Sequence, residues 1–432
     1  MKSLTRWTTL TLVMAFANPP IAGAQDTDKP REVVEQTSIV RLKPDGSDDF
    51  RARLDELKIE VIAELPKIHR LVVNIEASEL TRLLDRSLGS SASVELIEPD
   101  GPVALFESGC ISEPWSGSEI PPGVVRVGGP LQLSTGVTRK VWVIDTGIAV
   151  AYDQSELNVD RAKSVECNPG GCGAAPDPTK TADDTFGHGT AVAGIIGARN
   201  NGTMTAGVVP NVVLVAVQVS VKGEIKWSSL YNALEHLLNS ADFASGDVIN
   251  ISLGATWNPN PNSIEREIEQ QILNLAAVKS ARIAMAAGNL DALDGTAYLP
   301  TVTPARAAIF PKPANGAVMA VSAVDANDAF WPDSGFGNGK EPNTGGVYVG
   351  PPEVAEPGVG IATLGLKPNN MAKCTGTSFA APHLAGLLMK GLPDTSAQVS
   401  TDIDTIDPQT GQADARKKDR IGACTANCVV PP

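Results

Sequence analysis

Val141-Trp142-Val143-Ile144-Asp145-Thr146-Gly147 reads as four apolar residues, then a carboxylate, a hydroxyl and a glycine. An unbroken apolar run is what a strand buried on both faces requires, and such strands belong to parallel sheets covered by helices. The same reading continues downstream. A helix is expected near 189–198, a strand at Val212–Val217, a helix at Ser228–Asn239 and a strand at Val248–Leu253. Apolar residues at helical spacing mark Ile264–Val278, and Arg282–Ala286 and Ala317–Val324 read as further strands. This alternation predicts an α/β fold, a doubly wound, mostly parallel sheet with helices on both faces. The stretch 325–358, rich in Gly, Pro and Asn, reads as a long loop. The stretch 398–420, which holds Arg416-Lys417-Lys418, reads as a solvated tail.

Upstream, residues 38–97 read as a small α+β unit. Strands are expected at Thr37–Leu42, Leu71–Ile75 and Val94–Ile97, and a helix at Asp49–Leu57. Ser78 is placed to cap a second helix carrying Leu80, Leu83, Leu84 and Leu88 on one side, with Gly89 ending it. The order approaches the ferredoxin-like β-α-β-β-α-β arrangement with one strand unassigned. Residues 98–123, rich in Pro, Gly and Ser, read as a linker or extended segment.

The first residues carry the marks of a signal peptide: Lys2 and Arg6, an apolar stretch Leu10–Phe16, and the small residues Ala22-Gly23-Ala24 before Gln25. The expectation is a secreted protein, periplasmic or extracellular. No run reaches the ~18 apolar residues of a membrane span. A formal net charge of -14 over 432 residues repels phosphate backbones, so nucleic acid is not the expected partner. Six cysteines suit an oxidising compartment. Cys167 lies near Cys172 and Cys424 near Cys428, which would leave Cys110 and Cys374; six cysteines allow many connectivities, and the pairing stays open. No histidine sits at ligand spacing beside either close pair, which argues against zinc.

Three segments place reactive side chains where open parallel sheets carry their sites, at the carboxyl ends of strands. Asp145 closes the first strand. His188 stands in Phe186-Gly187-His188-Gly189-Thr190 and Ser378 in Gly376-Thr377-Ser378-Phe379-Ala380-Ala381-Pro382, each at an expected helix start. A serine hydroxyl needs a base to take its proton, and an imidazole needs a carboxylate on its other nitrogen to hold its tautomer. Ser378 at a helix N-terminus has free amides nearby, so its own N–H could serve an oxyanion. Asn289, after the strand ending at Ala286, could supply the second donor. Pro382 is expected to be tolerated as an early residue of its helix.

Together these segments resemble those of subtilisin-like serine peptidases, which carry Asp-[Ser/Thr]-Gly, His-Gly-Thr and Gly-Thr-Ser-x-Ala-x-Pro in this order. The resemblance covers residues 120–395. It implies a secreted serine endopeptidase with Asp145, His188 and Ser378 as triad and Asn289 at the oxyanion. It implies that Ser252, Leu253 and Gly254 line the substrate groove, and that Ala286, Ala287 and Gly288 wall the pocket before the cut. Residues 38–106 resemble the family's inhibitory propeptide, with a cut near Phe106–Glu107. The chain then divides into a signal peptide 1–24, a propeptide 25–106 and a peptidase domain 107–432. The partners implied are protein or peptide substrates and the chain's own propeptide, on a monomer. No cofactor is implied for the chemistry. Structural calcium is common in the family; Asn200-Asn201-Gly202-Thr203 resembles one calcium loop, with Asp153 as a second ligand source.

Departures are visible too. Phe379 replaces the usual methionine, with little effect expected, and Ala355-Glu356-Pro357-Gly358 has one residue more than the usual Ala-Pro-Gly. Cys374, four residues before Ser378, suits a disulfide or packing better than a second nucleophile. His69, His236 and His383 read as packing or surface residues. Two other readings compete. An α/β-hydrolase esterase would need a histidine after Ser378, and His383 is too near on the same helix. A silent binding module on the same fold would keep the architecture without the chemistry.

Overall fold

The computed structural model describes residues 36–44, 47–86, 93–114, 120–221, 223–256, 258, 260–290, 302–308, 317–335 and 354–391. The expected signal segment, Leu88, Gly89, the Arg416 cluster, Cys424 and Cys428 lie outside these.

The strand Val141–Asp145 sits inside a nine-stranded sheet, between Val213–Gln218 and Val248–Ile251 and parallel to both. Beyond Val213–Gln218 lie Val165–Asn168 and the antiparallel edge Gly171–Gly173, while Asn158–Val159 also pairs with Val213–Gln218. On the other side follow Arg282–Ala286, Val318–Val324 and Val354–Pro357, all parallel. All five residues of Val141–Asp145 are buried, as the unbroken apolar run requires. The chain therefore leaves the central strand in one direction, through helix His188–Gly197 to Val213–Gln218. It then returns across that strand, through helix Trp227–Asn239 to Val248–Ile251. The strand order reverses at Val141–Asp145, which makes its carboxyl end the switch point where a crevice opens. Helix His188–Gly197 packs against helix Thr377–Leu388, and helix Trp227–Asn239 against helix Ile264–Val278.

The expected strand Val248–Leu253 is in fact broken at Ser252. Val248–Ile251 stays in the sheet, and Leu253–Thr256 turns out to pair antiparallel with Val302–Thr303 and Ala104–Leu105. Ser252 is taken from the ladder because both its polar groups bond Ser378: its Oγ donates to Ser378 O (3.0 Å) and its carbonyl accepts from Ser378 Oγ (2.8 Å). The stretch expected as loop contains the edge strand Val354–Pro357. A proline is at home on an edge. Glu356, the extra residue, is fully buried there, and burial pushes its carboxyl well above the usual range.

Residues 38–99 form a four-stranded antiparallel sheet in the order Val61–Leu65, Arg70–Val73, Ser38–Leu42, Val94–Pro99, with helices Ser47–Glu56 and Ala77–Arg86. This completes the β-α-β-β-α-β arrangement. The strand left unassigned is Val61–Leu65, whose first three residues are only half-buried, which weakens the alternation that would mark it. Ser78 does not cap the second helix from outside. It lies in the first turn, where its Oγ donates to Glu76. Leu80 and Leu84 are buried as expected.

Among the described residues two disulfides are formed, Cys167–Cys172 across a hairpin and Cys110–Cys374 across a sequence separation of 264. No helix among the described residues is long and apolar enough to cross a membrane.

Candidate active site

Asp145, at the end of the central strand, is fully buried. Its Oδ1 accepts the Thr146 N–H (2.7 Å) and pairs with His188 Nδ1 (2.7 Å). That contact leaves His188 Nε2 facing away from the carboxylate, with no hydrogen-bond partner among the described residues. Burial alone would lower the His188 pKa, but the Asp145 charge and hydrogen bond, with Glu107 and Asp184 farther off, outweigh it and hold the imidazole above its ordinary value.

His188 opens its helix because Asp184 organises the turn before it. The buried Asp184 carboxylate accepts from the N–H groups of Phe186, Gly187 and Thr190 and from the hydroxyls of Thr146 and Thr190. Thr146 Oγ1 also receives the Gly189 N–H (2.9 Å), so the Asp145 strand and the His188 helix are bonded directly to one another. Asp184 is a residue that sequence reading missed. The signal was there, since an Asp shortly before a helix start is a capping pattern.

Ser378 is the second residue of helix Thr377–Leu388, with Gly376 before it at φ +150°. A side chain at Gly376 would collide with Phe106 O and approach Glu107 Cα to 2.8 Å and Asn289 Nδ2 to 3.2 Å. Glycine is therefore required for space as well as conformation. Pro382 is the sixth residue of this helix, too deep for the missing-donor argument made from sequence. The carbonyl that its nitrogen would have bonded is Ser378 O, and Ser252 Oγ bonds it instead. Phe379, in place of methionine, is fully buried with its ring centroid 5.4 Å from that of His188, so it packs directly on the imidazole. His383 is fully buried as well; burial lowers its pKa to about 4, and its Nδ1 lies 2.8 Å from Phe379 O.

Asn289 is buried behind Gly376, and its amide is oriented by Thr377. The Thr377 N–H and Oγ1 both donate to Asn289 Oδ1 (3.0 and 2.9 Å), while Thr377 Oγ1 accepts the Gly288 N–H (3.2 Å). Asn289 Nδ2 is thereby left without a partner among the described residues and aimed at the space above Gly376. Ala286 and Ala287 are buried beside it, in the same apolar cluster as Phe106.

The segment 103–109 runs through this space. Ala104 pairs with Gly254 and Leu105 with Leu253, antiparallel. The Phe106 ring is fully buried over Gly254, where a Cβ would meet it at 2.8 Å. The Phe106 carbonyl accepts the Ser378 N–H (3.1 Å). Of the expected groove residues, Leu253 and Gly254 thus touch this segment directly, and Ser252 touches Ser378.

The unit 38–99 and the residue after it also grip the large sheet domain's helices. Asp100 accepts the Ser228 N–H (2.8 Å) at the start of helix Trp227–Asn239. Glu98 accepts the Ile264 N–H (3.0 Å) at the start of helix Ile264–Val278 and is paired to Arg70 (2.6 Å), which in turn donates to Asn262 O. Neither carboxylate was singled out from sequence.

The residues expected at a calcium site do not fit one. Both oxygens of Asp153 are bonded by the Arg161 guanidinium (2.8 Å each), which also donates to the carbonyls of Ile148, Thr181 and Ala182. A cation of the protein's own occupies that carboxylate. Asn201 Oδ1 accepts from Thr203, within its own loop. Among the described residues no three His, Cys, Asp or Glu side chains are grouped to hold a metal ion.

A buried carboxylate–imidazole pair, a serine at a helix N-terminus and an amide donor thus gather near the switch point of a parallel sheet. The chain belongs to the subtilase family, whose model matches residues 136–394. It is 29% identical over 390 residues to an alkaline protease of Alkalihalobacillus alcalophilus, covering 88% of this chain and 85% of that one. It is 29% identical over 402 residues to subtilisin E of Bacillus subtilis, covering 90% and 89%. Among solved structures, the epidermin leader peptide processing serine protease of Staphylococcus aureus matches with a TM-score of 0.56 at 17% identity, over 83% of this chain and 89% of that one, a likeness of fold. The chain is a serine endopeptidase acting on peptide substrates.

Proposed function

We propose that the chain is an exported zymogen that cuts itself between Phe106 and Glu107 and then acts as a serine endopeptidase. Residues 1–24 are its signal peptide, 25–106 its propeptide and 107–432 its monomeric peptidase domain. The observation that carries this reading is the Phe106 carbonyl on the Ser378 N–H, with the chain continuing unbroken into Glu107. Relatives matching 88% and 90% of the chain, well beyond the family model's residues 136–394, support it too.

In this reading Ser378 Oγ turns from the Ser252 carbonyl toward His188 Nε2, which takes its proton as Oγ attacks the Phe106 carbonyl carbon. The Ser378 N–H and Asn289 Nδ2 stabilise the oxyanion. Asp145 holds the imidazolium and its tautomer. His188 Nε2 then gives the proton to the Glu107 nitrogen, the C–N bond breaks, and Phe106 remains as an ester on Ser378. Water, deprotonated by His188, completes the hydrolysis. The cleaved propeptide stays bound through its added strand and its two helix caps until it is released, and it inhibits meanwhile. No metal enters these steps, and a calcium ion at Asp153 is not part of the proposal.

Mass spectrometry of purified wild type beside Ser378→Ala tests this. Wild type is expected to lose residues through Phe106 while the variant keeps them. Equal processing of both, or a mature start far from Glu107, would sink the reading.

A further inference from the structure

The segment after the Phe106–Glu107 bond is attached to the element that carries the nucleophile. The Ser108 N–H donates to Thr375 O (2.8 Å), and the Thr375 N–H donates to Gly109 O (3.2 Å). Strand Cys110–Pro114 then pairs antiparallel with Asn370–Cys374, placing Cys110 opposite Cys374, and these two form a disulfide. Cys374 is fully buried and stands four residues before Ser378. Hydrolysis of Phe106–Glu107 breaks none of these connections.

The covalent bond matters more here than the pairing does. All five residues of Cys110–Pro114 are exposed, so little apolar burial holds the strand down. Only Glu107, Ser108 and Gly109 precede Cys110 in a chain that starts at Glu107. Three residues reach at most roughly 11 Å when fully extended. The new amino terminus therefore cannot leave the neighbourhood of Ser378. Beside it lies a cavity of about 400 Å³, lined by Glu107 and Cys110 on one side and by Phe186, His188 and Leu366 among others. Because Glu107 is the residue after the bond, this cavity belongs to the leaving-group half of the cleft.

We propose that the Cys110–Cys374 disulfide keeps Glu107–Gly109 in the leaving-group half of the cleft after processing, as a self-supplied wall that makes the mature enzyme discriminate against substrates extending past the cut bond. This rests on the processing reading above. A short tether gives its segment an effective concentration in the millimolar range, enough to compete with a free peptide for weak subsites. Substrates are then selected by the residues before the cut, where the groove is vacated when the propeptide leaves. Reducing the disulfide frees the other half.

The experiment compares two substrates with the same residues before the cut, Val-Ala-Leu-Phe as in residues 103–106. One ends in p-nitroanilide. The other continues for four residues and carries a fluorophore and quencher. Mature wild type and mature Cys110→Ser/Cys374→Ser are each sequenced from the N-terminus and assayed on both. The ratio of kcat/KM, long peptide over anilide, is expected to rise at least about tenfold in the variant. A Glu107 start with the same ratio in both proteins overturns this proposal and leaves the processing reading intact. A start beyond Cys110 overturns both. If the variant does not fold, Cys167→Ser/Cys172→Ser enzyme is reduced after folding and its freed thiols are counted by alkylation and mass. The same rise in ratio is then expected, and no rise with Cys110 and Cys374 alkylated overturns the proposal.

Discussion

Asn289 illustrates how a single side chain acquires a direction. Its oxygen is held by two Thr377 donors, so its NH2 group is aimed rather than free to flip. A donor fixed before charge develops needs no reorganisation when the oxyanion forms. Asn289→Ala is expected to lower kcat about 10²–10³-fold with little change in KM, the loss seen for such a donor in subtilisin itself. Steady-state kinetics on an anilide substrate reads it. Under the proposed processing, Phe106 acts at the same scale from the substrate side. Its ring is fully buried over Gly254. Burial of a side chain this size stabilises by about 1.5–3 kcal/mol, so Phe106→Ala is expected to slow self-processing roughly 10–100-fold. A time course of precursor loss by mass checks this.

At the level of elements, two helices begin on carboxylates that come from another part of the chain. Glu98 meets the start of Ile264–Val278 and Asp100 the start of Trp227–Asn239. Burial raises the Glu98 pKa to about 7 despite its Arg70 partner. Released into water, the same carboxyl would titrate near its ordinary 4.5. The bound state thus retains a proton that the released state gives up. This contribution to binding is complete below about pH 4.5 and is lost as the pH rises through 7. Asp100 is shifted upward by burial as well and acts in the same direction. Cleaved propeptide is therefore expected to dissociate faster at pH 8 than at pH 5. Glu98→Gln, which cannot ionise, should flatten that dependence. The lag before activity appears, followed across this pH range, measures both.

Across the whole molecule, the strand order brings distant segments to one point. Residues 106, 145, 188, 289 and 378 meet because the central strand is the switch point and two helices begin above its carboxyl end. The disulfide Cys110–Cys374 adds a second link across the same point, spanning 264 residues. Phe106, Ser378 and the Cys110–Cys374 bridge therefore share one neighbourhood.

Read alone, the sequence determined the class of fold and offered the triad candidates. Each was written in local patterns: an unbroken apolar strand ending in Asp145, glycines around His188, and Gly376-Thr377-Ser378 before a helix. Local patterns suffice where a residue's neighbours in the chain create its environment. They could not show that Ser252 leaves the ladder to bond Ser378, or that Arg161 claims the Asp153 carboxylate. Nor could they show that Glu98 and Asp100 begin helices more than a hundred residues away. Most of these partners are remote in sequence, and even the nearer Arg161 depends on distances of a few tenths of an ångström. Only the packed tertiary structure sets distances that finely, because a buried polar group must find whatever partner the fold brings to it.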